Sequence, residues 1–432
     1  MNWYWLWIIP VLGSLVFIHE LGHFVTARVL GIRVEEFAIG FPPRLFSVKR
    51  NGIEYSLNAL PIGGYVRILG ENGESDAPDS FSTQPAWKRI IVLAAGSSMN
   101  LLLALALFIA LGIGGEQVAD NSPVGFQSIL AKNPAQVAGL QPGDILAAVN
   151  GRPIDNTDAA FNALNNNLGQ TVTLTIKRGA QTMQVPVKLN PQGPALGVSL
   201  QASYSPIRIS SVSSGSDAAV AGLQPGDVIK KVNGKDISST LDAGIALAAV
   251  NNGAVTLTVD RGGASKDLQA TVKGGNISGY AYKIPTHTAT YSIGEAIGRG
   301  FSQTGDLIRR VLDGLIGLIV NLFSGHTEGV QVSGPVGIAQ LTGEVVQDSG
   351  LSGLLRLTAL LGINLGLINL FPLPALDGGR LLFILVELLR GGRKIAPEKE
   401  GLVHAIGMAA LLLLMLIIAY SDVQNLGHKL LP

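Results

Sequence analysis

Apolar positions along the chain gather into four stretches long enough to cross a bilayer as helices, which takes roughly 20 residues. They fall in residues 1–30, 90–115, 351–390 and 401–422. The third exceeds what one straight span needs and is broken by Pro372 and Pro374, so part of it is predicted to be irregular. Irregular backbone at membrane depth is tolerated only inside protein or against water, which marks 351–390 as a place to look for a site. Between the first two stretches, in 31–89, the pattern turns to β structure. RLFSVKR and IEYSLNAL flank Asn51-Gly52, a favourable hairpin turn, and the glycine-rich PIGGYVRILG follows. In 286–350, Phe301, Leu307, Ile308, Val311, Leu312 and Leu315 recur at helical spacing. That predicts an amphipathic helix, either lying on the outer membrane face or packed on other helices.

The long segment between the second and third spans repeats itself. Residues 135–151 read AQVAGLQPGDILAAVNG and 218–234 read AAVAGLQPGDVIKKVNG, twelve of seventeen identical at an offset of 83. The same offset aligns VTLTIKRG from Val172 with VTLTVDRG from Val255. Self-similarity of this kind means two tandem copies of one small domain, expected at 116–200 and 201–285. Each copy has Pro-Gly-Asp and Asn-Gly turns between short β-rich runs. The AGLQPGD…VNG pattern resembles PDZ domains, which implies recognition by adding a peptide strand to a sheet edge. The predicted fold is therefore a polytopic α-helical membrane protein. It has four transmembrane helices, a membrane-associated β-hairpin region and two tandem PDZ domains (β-rich, α+β).

Composition agrees. Charged residues are 14% of the 432, against about 25% in a typical soluble protein. No basic residue precedes the first apolar stretch, so it reads as a retained span rather than a cleaved signal. The net charge of +1 gives no basic surface for nucleic acid. There is no cysteine, which removes disulfides, a thiol nucleophile and thiolate ligands together. Lys and Arg crowd the loop at 31–89 (Arg33, Arg44, Lys49, Arg50, Arg67, Lys88 and Arg89) and the short loop at 391–400 (Arg393, Lys394 and Lys399). The positive-inside rule puts both loops in the cytoplasm, and the repeats and the tail at 423–432 outside.

Any metal must then sit on His and carboxylate, and His19-Glu20-Leu21-Gly22-His23 supplies the first of these. Positions i and i+4 of a helix share a face, so both imidazoles can bind one ion. Glu20 is then beside the metal, placed to take a proton from water during attack on a carbonyl. Three ionisable groups at the end of an apolar span are costly, and are functional hypotheses by default. Two histidines leave a catalytic zinc site one protein ligand short. His287, His326 and His428 belong to the outer stretch and the tail, and His404 opens the fourth span as an interfacial residue. Asp377, beside two glycines and just after the prolines, is the best third ligand. An ordinary N-cap for the helix that follows is the alternative for it.

HExxH in the first span and Asn369-Leu-Phe-Pro372-Leu-Pro-Ala-Leu376-Asp377-Gly378 in a later one resemble the site-2 protease family of intramembrane metalloproteases. The resemblance covers nearly the whole chain. It implies one Zn²⁺ per chain on His19, His23 and Asp377, with Glu20 as general base. It also implies that Gly64, Tyr65 and Val66 form an edge strand pairing with substrate, and that Asn364 and Asn369 contact the substrate backbone. Interhelical hydrogen bonding is the alternative for both asparagines. Gly96-Ser-Ser-Met-Asn100 fits the family's G-x-x-x-N feature, with Ser97 where proline is expected, and Gly334 to Gly337 is a further family-like stretch. The family further implies residence in a bacterial inner membrane and single-span membrane proteins as substrates: pre-cleaved anti-sigma factors and remnant signal peptides. The lipid bilayer is the other partner. A membrane scaffold with PDZ repeats and a structural metal, and a zinc transporter, are the rival readings. A scaffold has no need of Glu20, and a transporter needs polar residues along a whole pathway, whereas here they gather at one depth.

Overall fold

The structure, a computed structural model, describes residues 3–71, 73–213, 215–324 and 334–430; His326 lies outside them. It divides into two units, one running up to Gln117 and resuming at Thr288, the other Val118–His287.

In the first unit a 3-10 turn at Trp3–Trp7 leads into α1 (Ile8–Val29). Its buried positions, Ile8, Val11, Leu15, His19, Gly22, His23 and Ala27, recur every three or four residues. One face therefore looks into protein, and it carries both histidines. β1 (Val34–Arg50) and β2 (Ile53–Ile68) form the expected hairpin. Asn51 and Gly52 both have positive φ (51° and 80°), the turn geometry that matches strand twist. Residues 36–39 of β1 pair with 54–57 on one side and with 64–67 on the other, so 64–67 is an outer strand of this small sheet. Beneath it Glu36 is fully buried and accepts from Ser56 Oγ and Arg44 Nη2, each at 2.5 Å. Burial would raise its carboxyl, but Ser56, Tyr65 and the two arginines Arg44 and Arg67 hold it below the usual range. α2 (Ala86–Gly114) follows. It crosses α1 at small residues: a Cβ on Gly22 would stand 2.5 Å from the Ala95 carbonyl oxygen, an approach that larger residues forbid.

β3 (Glu116–Ala119) leads into the second unit, where one order of elements occurs twice. The first pass is β4 (Val124–Ile129), α3 (Pro134–Val137), β5 (Ile145–Val149), β6 (Arg152–Pro153), α4 (Thr157–Asn165), β7 (Thr171–Arg178), β8 (Gln181–Lys188) and β9 (Val198–Ala202). The second is β10 (Ile209–Val212), α5 (Asp217–Val220), β11 (Val228–Val232), β12 (Lys235–Asp236), α6 (Thr240–Val250), β13 (Gly253–Arg261), β14 (Ala264–Val272) and β15 (Tyr280–Tyr282). β16 (Thr286–Ala289) leads out. Residues 83 apart do the same thing in both. Leu174 and Ile176 fill one core, Leu257 and Val259 the other. Arg178 clamps Asp144 with two bonds of 2.6 Å, and Arg261 clamps Asp227 with two of 2.7 Å. The boundary expected at 200/201 needs correction, because it falls inside β9, which completes the first sheet by pairing with β4.

The first unit resumes with α7 (Ile293–Ser324), α8 (Pro335–Leu370), α9 (Asp377–Leu389) and α10 (Pro397–Leu430). Leu307, Ile308 and Val311 of α7 pack on Phe108, Leu111 and Ile363, while Phe301, Leu312 and Ile316 stay exposed. The expected third span is reshaped. α8 begins at Pro335, sixteen residues early, and carries a break at Gly350 (φ 57°, ψ −143°), where 350/351 was expected to divide two regions. α9 is separate, and its 13 residues reach only about 20 Å, short of the roughly 30 Å of a hydrocarbon core. The prolines explain the interruption: they cannot donate, and they force the residue before them extended, as at Phe371 (ψ 143°). The Gly334–Gly337 stretch forms the first turn of α8, where Asp422 Oδ2 accepts the Gly337 N–H at 2.9 Å. Among the described residues, four helical segments are long and apolar enough to cross a membrane, Trp3–Val29, Ala86–Gly114, Pro335–Leu370 and Pro397–Asp422. With the strands they make a multi-pass membrane protein with a β region.

Candidate metal centre

Two local devices deliver the side chains of the site. His19 and His23 come from the buried stripe of α1, one turn apart. Asp377 comes from the first position of α9, after the proline-broken loop. Leu376, not Asp377, is the N-cap of α9 and no side chain caps it, so the carboxylate is left to face the imidazoles. His19 Nε2 lies 3.1 Å from His23 Nε2 and 3.1 Å from Asp377 Oδ2, and His23 Nε2 lies 3.4 Å from that same oxygen. Zinc bonds of about 2.0–2.1 Å at tetrahedral angles set donor atoms roughly 3.3 Å apart, so the triangle fits zinc. Asp377 Oδ2 is also buried without a well-directed donor, as an atom reserved for a cation would be. Among the described residues no other three His, Asp or Glu side chains come together in this way.

The surroundings orient the donors. His23 donates Nδ1–H to the Val92 carbonyl at 2.8 Å, which makes Nε2 the nitrogen that can ligate. The Asn100 amide lies 3.5 Å from His19 Nδ1, and its Oδ1 is buried without a donor. Turned end for end, that amide would set its oxygen to accept from His19 Nδ1–H. Gly96 makes room for the rings, since a Cβ there would sit 2.4 Å from His23 Nε2. α2 runs through Ser97 without interruption. Glu20 accepts the Val66 N–H at 3.0 Å, so the outer strand 64–67 runs beside it.

The remaining sequence candidates are placed as follows. Gly64, Tyr65 and Val66 belong to that outer strand. Asn364 donates to Leu360 O of its own helix at 3.1 Å, and Asn369 is half-buried near the end of α8. His287 pairs with Asp120 at 2.7 Å in the second unit. His404, expected at an interface, instead bonds the loop before α9. Residues that pattern did not reveal are Val92, whose carbonyl carries no side-chain signal, and Val66 as a partner of Glu20. Both lie far from their partners in sequence.

Comparison with known proteins gives the family. The sequence pattern of Peptidase family M50 matches residues 7–414. A protein of Clostridium perfringens named as a zinc metalloprotease is 41% identical over 42% of this chain and 53% of its own length. Two relatives match end to end. The regulator of sigma-W protease RasP of Bacillus subtilis is 29% identical over 97% of each chain. The regulator of sigma-E protease RseP of Salmonella typhimurium is 31% identical over 97% of this chain and 98% of its own. The chain belongs to Peptidase family M50, the site-2 zinc metalloproteases.

Proposed function

We propose that this chain cuts peptide bonds within the transmembrane segments of single-span membrane proteins. The observation that carries the reading is the donor triangle of His19, His23 and Asp377 on apolar helices, with Glu20 following His19 in sequence. His19, His23 and Asp377 would hold the zinc. When bound there, zinc supplies Lewis acidity toward a carbonyl and a water acidic enough to attack at neutral pH. Glu20 takes the proton of the attacking water and hands it to the leaving amine.

A helical substrate must be opened before its carbonyl can be attacked. Gly64 and Val66, two residues apart, turn their backbone groups to the same edge, and the Val66 N–H is already 3.0 Å from Glu20 Oε2. A substrate strand added to that edge lies alongside the general base. Asn364 and Asn369 steady its far side. The chain resides in a bacterial inner membrane with the metal toward the cytoplasm and the repeats, as PDZ domains, in the periplasm. The repeats admit stubs left by an earlier cut and exclude substrates with large outer domains. The naming of RasP and RseP as sigma-factor regulators supports a pre-cleaved anti-sigma factor as substrate, with remnant signal peptides as a second class.

The test is cleavage of a purified single-span helix in liposomes by wild type and by Glu20→Gln, with zinc counted in both. Expected is full zinc in both and cleavage by wild type alone. Equal cleavage by the two would remove Glu20 from the chemistry. Zinc in both with no cleavage of any trimmed single-span substrate would favour a scaffold.

A further inference from the structure

The loop that presents Asp377 is held in an unfavourable shape from outside. Ala375, two residues before the aspartate, has φ +75°, a conformation that side chains with a Cβ rarely adopt. Its N–H donates to His404 Nδ1 at 2.8 Å, a bond from the α9 approach to α10. One turn further along α10, Gly407 lets that helix lie directly on the loop: a Cβ there would stand 2.2 Å from Pro374 Cβ and 3.0 Å from Pro374 C. The Phe383 ring of α9 lies 5.6 Å from the imidazole, centroid to centroid. α10 is otherwise an exposed apolar helix. Its less exposed positions from Gly401 to Ala419, namely His404, Gly407, Leu411, Ile418 and Ala419, form one stripe, and only His404 among them offers a hydrogen-bonding side chain.

We infer that His404 is a positioning residue for the metal centre. By accepting the Ala375 N–H it holds the left-handed turn that aims Asp377 at His19 and His23. The inference rests on Asp377 being a zinc ligand. Accepting at Nδ1 requires the ring proton on Nε2, which is buried without a hydrogen-bond partner, Glu400 Oε1 lying 3.9 Å away. Without the acceptor, the Ala375 N–H loses its partner, the strain at φ +75° is no longer offset, and the loop relaxes away. The ligand triangle then opens at its third corner.

Three variants of the full chain in detergent separate this role from simple packing. His404→Phe keeps a ring but removes the acceptor. His404→Asn removes the ring but sets Oδ1 near the place of Nδ1. Ala375→Gly lets position 375 adopt positive φ without strain. Zinc affinity is read by competition with a chromogenic chelator, and hydrolysis is read alongside. H404F should bind zinc about ten-fold or more weakly, the range for loss of a group that orients a ligand. H404N should stay within a few-fold of wild type, and adding A375G to H404F should recover most of the loss. Weak binding by H404N with normal binding by H404F would overturn the inference, as would an H404F defect that A375G leaves untouched. Asp377→Asn is the separate control. If it binds zinc normally, the metal reading itself falls; if it loses zinc while H404F does not, only the role of His404 falls.

Discussion

A methyl group at position 96 would stand 2.4 Å from His23 Nε2 and 2.8 Å from His19 Cε1. The rings must move to admit it, and His23 can do so only by giving up its bond to the Val92 carbonyl. Alanine favours a helix over glycine by about 1 kcal/mol, so Gly96→Ala should leave α2 intact while turning the imidazoles out of the triangle. We expect zinc affinity to fall by about ten-fold or more, measured as metal retained by the purified variant. Full zinc with normal cleavage would show that the rings are not confined by this contact. The histidines were legible in the sequence because one helix carries both, so spacing alone put them together. Asp377 stood out by residue type and by the prolines ahead of it, but on those alone it was as much a helix cap as a ligand, and the family resemblance was what pointed to the metal. Gly96 drew notice only as part of a spaced motif, and the positive φ of Ala375 left no trace at all. Their meaning comes from segments tens to hundreds of residues away, which periodicity does not reach.

The repeated elements of the second unit invite a test of acid stability. Asp227 is fully buried in its turn. Burial would raise its carboxyl, but the Arg261 clamp and the Gln224 N–H hold it below the ordinary carboxylate range. A carboxyl lowered by folding stabilises the folded state fully above its unfolded pKa of about 3.9 and loses that contribution as pH falls toward the folded value. Wild type should therefore lose stability in residues 209–282 below about pH 4. Asp227→Asn should flatten that dependence and cost about 2 kcal/mol at pH 7, in the range for hydrogen bonds to a charged group. Denaturant unfolding with hydrogen exchange over 209–282 reads both effects. An unchanged acid profile would assign the acid sensitivity elsewhere. At this scale the sequence was most readable where local chemistry decides: the Asn51-Gly52 turn, the two copies and the proline break all lie where pattern put them. The end of the first copy was not readable, since β9 belongs to it by pairing with β4, some seventy residues away. Nor was the early start of α8, whose first turn is fixed by Asp422 of another helix.

Taken whole, the molecule is a membrane unit interrupted by a repeat unit, and that order makes the proposed gating by the repeats testable apart from the chemistry. The last residue of the membrane unit before the insertion is Gln117 and the first after it is Thr288. Their side chains are in contact, Gln117 Nε2 donating to Thr288 Oγ1 at 2.7 Å. A flexible link of a few residues, at up to about 3.5 Å each, can therefore rejoin them without pulling on α2 or α7. All the donors of the metal centre, and Val66 beside Glu20, lie in the membrane unit. Replacing 118–287 with such a link should leave zinc content and cleavage of a short, pre-trimmed single-span substrate near those of the full chain. If the repeats act by exclusion, the shortened chain should also cut the same substrate carrying its whole outer domain, which the full chain leaves intact. If the repeats instead capture substrate in a peptide groove, the shortened chain should cut both forms poorly, with a raised KM and an unchanged kcat. Exclusion thus predicts a gain of cleavage on the untrimmed substrate and no change on the trimmed one, whereas capture predicts no gain on the first and a loss on the second.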